Sequence, residues 1–125
     1  MAKKQILLVD DELELVTVVK FRLEANDYGV IVAYDGQEAL EKARKDKPDL
    51  IILDLMLPKM DGYKVCGLLK ADERYKKIPI IMFTARGQES DKKIGEEVGA
   101  DAYITKPFED QVLLAKIKEL LKEQL

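Results

Sequence analysis

The chain has 125 residues, of which 47% are apolar and 36% charged, with a net charge of −3, a single Cys and no His. That length suits one domain able to bury roughly two-thirds of its unfolded surface, and the composition is that of a soluble globular protein. Imidazole metal sites and Ser-His or Cys-His catalysis are excluded, as are an internal disulfide framework and a membrane span of ~18 apolar residues.

The first apolar run, QILLV at 5–9, leads into Leu15, Val18, Val19 and Leu23, spaced as one face of a helix. A second run at 30–33 precedes Ala39, Leu40 and Ala43, and a third at 50–53 precedes Val65, Cys66 and Leu69. A fourth at 80–83 leads to a segment, 90–98, whose only apolar stripe is Ile94 and Val98 and whose interior holds Gly95. Glycine there costs roughly 1 kcal/mol relative to Ala, so this fourth helix is expected to be among the least stable elements. The fifth run, 102–105, precedes the strongest stripe: Leu113, Leu114, Ile117, Leu120 and Leu121. Gly29 and Gly99 fall where helices would end in left-handed caps. With no linker or shift in composition, residues 1–125 read as one domain.

Alternating strands and helices imply right-handed crossovers and a parallel sheet covered on both faces. Ligands of such sheets gather at the carboxyl ends of the strands. The first run ends in Asp10-Asp11-Glu12, the third in Asp54, the fourth in Thr84, and the fifth in Thr105-Lys106-Pro107. Several carboxylates sharing one rim repel, and a hard divalent cation removes that conflict. Mg²⁺ takes oxygen ligands and keeps waters or phosphate oxygens in its other positions. Lys106 and Thr84 can bind an anion at the same rim. An Asp between a cation and an ammonium is well placed to attack phosphorus.

Four fragments, LLVDDE, LDLMLPKMDG, MFTA and YITKPF, carry these residues. Together and in this order they resemble the receiver domain of bacterial two-component response regulators, over essentially the whole chain. The resemblance implies a doubly wound, flavodoxin-like sheet of five strands in order 2-1-3-4-5 with five helices on its two faces. It implies that Asp54 takes a phosphoryl group from a sensor histidine kinase or phosphotransfer protein. Asp11, Asp54 and the Met56 backbone carbonyl would hold Mg²⁺, or Mn²⁺ in its place, with Asp10 acting partly through water. Thr84 and Lys106 would bind the phosphoryl oxygens. Tyr103 would report the change to a downstream protein through the fourth helix, fifth strand and fifth helix. The resemblance further implies a cytoplasmic monomer or weak phosphorylation-dependent dimer, with no catalysis beyond its own phosphorylation and dephosphorylation. Direct nucleic-acid binding is not expected of an acidic chain, nor membrane insertion.

Taken singly, each residue has a plainer role. Asp10-Asp11-Glu12 could cap the first helix, Thr84 could be an ordinary strand residue, and Tyr103 could be edge packing. Cys66, on an apolar stripe, reads as core. Among rivals, a flavodoxin needs a hydroxyl- and Gly-rich phosphate loop where this chain has Asp10-Asp11-Glu12. A P-loop nucleotidase needs a Gly-rich Lys motif that is absent, and a dehalogenase-type phosphatase needs an acid where Met56 stands. No output domain follows the last stripe, as expected of a stand-alone regulator or of a receiver excised from a longer protein. The turn at Lys106-Pro107 is expected to be cis, because X-Pro bonds lose most of the trans preference. Met56 and Arg86 stand where fast members of the family hold the hydrolytic water, which implies a long-lived phosphoryl state.

Overall fold

In the computed structural model, residues 3–85 and 99–123 are described. Five parallel strands, β1 (Gln5–Val9), β2 (Gly29–Ala33), β3 (Leu50–Asp54), β4 (Ile80–Ala85) and β5 (Ala102–Lys106), form one sheet in the order β2-β1-β3-β4-β5. The described helices are α1 (Leu13–Ala25), α2 (Gly36–Asp46), α3 (Gly62–Lys70) and a C-terminal helix (Asp110–Leu120). The expected helix at 90–98 lies outside the described residues. None of the described helices is long and apolar enough to cross a membrane.

The sheet separates two cores, because side chains alternate along each strand. On one face Leu7, Val9, Ile51, Leu53 and Met82 meet Ala39, Leu40 and Ala43 of α2 and Val65, Cys66 and Leu69 of α3. On the other, Ile6, Leu8, Ile52, Ile81 and Phe83 meet Val16, Val19 and Leu23 of α1 and Leu113 and Ile117 of the C-terminal helix. Every residue of β3 is buried, which accounts for its unbroken apolar run.

Two expectations are corrected. The face of α1 that packs is Val16, Val19 and Leu23, while Val18 is 53% exposed. Apolar residues occur all around this helix, so spacing alone did not select the packed side. Gly29 does not end a helix: it opens β2, and Asp27 takes the left-handed turn at φ 68. Asp tolerates that conformation better than most residues. Gly99 does adopt φ 90, although the segment before it lies outside the described residues.

Candidate functional site

Register brings the polar residues together. Val9 pairs with Leu53, so Asp10 and Asp54 leave their strands side by side. Asp54 pairs with Phe83, and Thr84 with Thr105, which sets Lys106 at the end of the last strand on the same rim. The Lys106–Pro107 bond is cis, as expected. Beyond it, Phe108 packs on Phe83 with ring centroids 4.8 Å apart.

Lys106 is the hub. Its Nζ lies 2.8 Å from Asp10 Oδ2, 3.3 Å from Glu12 Oε1 and 3.4 Å from Asp54 Oδ1. Asp10 is fully buried, and Asp54 and Thr84 are nearly so. Asp10 also accepts from the Glu12 backbone N–H at 2.9 Å, so it orders the start of α1 while pairing with the lysine. Glu12 is the N-cap residue of α1 and makes no side-chain capping bond, so Asp10 orders the turn ahead of the helix and does not cap it.

The electrostatics are those of crowded carboxylates. Burial, reinforced by the negative charge of Asp10, pushes Asp54 up to about 6 against the opposing pull of Lys106 and a hydrogen bond from the Met56 N–H. Burial disfavours the Lys106 ammonium, but its bond to Asp10 and the charges of Asp54, Asp10 and Glu12 outweigh that and raise it overall.

Carboxylate oxygens of Asp10, Glu12 and Asp54 lie within 4.8 Å of one another, a set that can hold a metal ion. The donors are all hard oxygens, which favours Mg²⁺-like cations over softer metals. Such an acidic pocket, faced by one ammonium, fits a phosphoryl-acceptor site with its cation. Asp11 is exposed and its carboxylate is not part of this cluster. Glu12 stands in it instead, a residue whose side chain the sequence reading left without a role beyond capping. Met56 is 67% exposed at the rim. Tyr103 is partly buried against the core on the α2 and α3 face, with its hydroxyl oxygen inside.

The comparisons agree with this geometry. A family model described as the response regulator receiver domain matches residues 6–118. Over 119 residues the chain is 50% identical to the alkaline phosphatase synthesis transcriptional regulatory protein PhoP of Bacillus subtilis, covering 95% of this chain and 49% of that protein. The chain thus spans about half the length of the curated relatives it matches. A putative response regulator from Chloroflexus aurantiacus superposes with a TM-score of 0.93 at 37% identity, covering 97% of this chain and 99% of that one. The receiver domain of the sensor histidine kinase PA1611 from Pseudomonas aeruginosa PAO1, which has a magnesium ion coordinated in its active site cleft, gives a TM-score of 0.90 at 30% identity, covering 98% and 100%. Because the family match runs from β1 into the C-terminal helix, the chain belongs to the response regulator receiver domain family.

Proposed function

We propose that Asp54 is the phosphoryl acceptor of this signalling switch. The donor is the phosphohistidine of a sensor histidine kinase or phosphotransfer protein. The observation that carries this reading is Lys106 Nζ, set 2.8 Å from Asp10 and 3.4 Å from Asp54 on one rim. An Asp54 oxygen forms the new bond to phosphorus as the P–N bond breaks, and its electron pair returns to the donor imidazole. Lys106 holds a phosphoryl oxygen throughout, and the Thr84 hydroxyl donates to another. Hydrolysis of the resulting acyl phosphate by water resets the protein.

Asp10, Asp11, Asp54 and the Met56 carbonyl would hold Mg²⁺, or Mn²⁺ in its place, with Glu12 close by. When bound, the cation supplies positive charge that keeps Asp54 ionised and offsets the charge of the phosphoryl oxygens. A groove of about 380 Å³ beside Lys106, lined by Leu15, Val18, Pro107 and Phe108 among others, gives the donor protein a surface next to the acceptor.

The output is a change of surface. Thr84 and Thr105 pair across β4 and β5, and Tyr103 pairs with Met82 in the same ladder. Thr84 drawn toward the phosphoryl group shifts the packing around Tyr103. That biases a surface made of β5 and the C-terminal helix. Hydrogen exchange with Mg²⁺ and the phosphoryl mimic beryllofluoride tests this. Protection should change most on β5 and the C-terminal helix, and Asp54→Asn should abolish the response. Changes confined to α1 and α2 would contradict the reading.

A further inference from the structure

The loop after Asp54, residues 55–61, carries Met56, whose backbone N–H pulls on the Asp54 carboxylate and favours its charged form. Two glycines outside that loop hold it in place. At its stem Gly62 N donates to Leu55 O at 3.0 Å, and a Cβ on Gly62 would stand 2.4 Å from Asp54 O. At its tip Gly36 N donates to Pro58 O at 3.3 Å, and Met60 N to the same oxygen at 2.7 Å. Gly36 is the buried first residue of α2, far from Asp54 in the chain.

A Cβ at position 36 would stand 1.9 Å from Met60 O and 2.7 Å from Met60 C. These are backbone atoms that cannot rotate aside, so any side chain at 36 displaces the loop tip by roughly 1 Å. Backbone conformation does not explain this glycine: the positive-φ glycine among the described residues is Gly99. Ala is also the better helix former, so α2 alone would favour it. Lys59 takes the left-handed conformation at φ 65, with its Nζ 3.7 Å from Asp35, the residue capping α2. The start of α2 and the loop tip are therefore seated on each other.

We infer that Gly36 is a positioning residue for Asp54: by admitting the Met60 carbonyl, it holds loop 55–61 so that the Met56 main chain faces the acceptor. The inference rests on the reading of Asp54 as phosphoryl acceptor. It assigns the start of α2, which touches neither phosphoryl group nor cation, a part in the chemistry.

The test uses the full chain as wild type, Gly36→Ala and Ala43→Gly. The last loosens α2 at a buried site away from the loop. Mg²⁺ is titrated while the backbone amide signals of Met56 and Gly36 are followed by NMR. Phosphorylation by a small-molecule phosphodonor is then timed at saturating Mg²⁺. In the wild type, the Gly36 amide should move at the same Mg²⁺ concentration as that of Met56. Gly36→Ala should bind Mg²⁺ roughly 10-fold more weakly, the size of effect expected from disturbing groups that orient a metal ligand. It should also be phosphorylated on the order of 10-fold more slowly, as misplacement near the chemistry predicts. Ala43→Gly should match the wild type in both. A Gly36→Ala protein with unchanged affinity and rate overturns the inference, as does an equal loss in Ala43→Gly. If Gly36→Ala does not fold, the wild-type titration decides, and a Gly36 amide indifferent to Mg²⁺ overturns the inference. A wild type that takes no label on Asp54 would sink the acceptor reading instead.

Discussion

The Lys106 ammonium donates to the Asp10 carboxylate at 2.8 Å across 96 residues of chain, and Asp10 is fully buried. The pair joins the ends of β1 and β5, which are not neighbours in the sheet. Removing one partner of a buried pair costs ~3–5 kcal/mol, because the other charge is stranded. Lys106 keeps 17% side-chain exposure, which moderates that loss. Lys106→Ala should therefore lose roughly 2–3 kcal/mol without divalent cations, and adding Asp10→Asn should recover most of it. Urea denaturation checks this; a loss below about 0.5 kcal/mol would assign Asp10 to its bond with the Glu12 N–H instead.

Asp54 gives the cation-free protein a pH dependence of definite sign. Its ordinary value is 3.8, and in the folded protein it is raised to about 6. Between those values the native state keeps a proton that the unfolded state has released. Stability due to this group therefore falls as pH rises through that window, by up to about 3 kcal/mol in all. Asp54→Asn should be the more stable protein at pH 7, and its advantage should shrink toward pH 4. Mg²⁺ should narrow the gap by stabilising the wild type. Thermal melts of both proteins across this range check the sign, and an Asn variant no more stable at pH 7 would refute it.

Met56, 67% exposed beside the acceptor, should set the lifetime of the phosphoryl state. Its thioether is a weak acceptor and cannot orient a water well. Met56→Asn should speed decay of the purified phosphoprotein in Mg²⁺ by about 10-fold, less than the ~10²-fold typical of a full general base. Unchanged or slower decay would remove Met56 from that role.

Cys66 lies fully buried between α3 and the sheet, and burial pushes its thiol up to about 11. It should therefore resist iodoacetamide at neutral pH and react only when the protein unfolds. Modification of the native protein as fast as that of a free thiol would contradict its place in the core.

The strand ends were the most legible part of this chain. Parallel strands send their carboxyl ends to one rim, so the order of the apolar runs alone groups Asp10, Asp54, Thr84 and Lys106. Glu12 was harder, because its exposed side chain reaches Lys106 across 94 residues and carries no periodic signature. The packed face of α1 was hidden by apolar residues on its other sides, Leu13 and Phe21 among them. Gly36 and Gly62 lie outside both the apolar stripes and the polar strand ends. Their reason lies in backbone atoms of distant or folded-back segments, which only the tertiary structure brings near.

The claim on which the rest depends is that one carboxylate takes the phosphoryl group and needs a cation to do so. Its most direct test is incubation with a small-molecule phosphodonor and Mg²⁺, followed by mass-spectrometric mapping of the modified residue. The account predicts a single label on Asp54, lost in Asp54→Asn and in excess chelator. Undiminished labelling under either condition would contradict it.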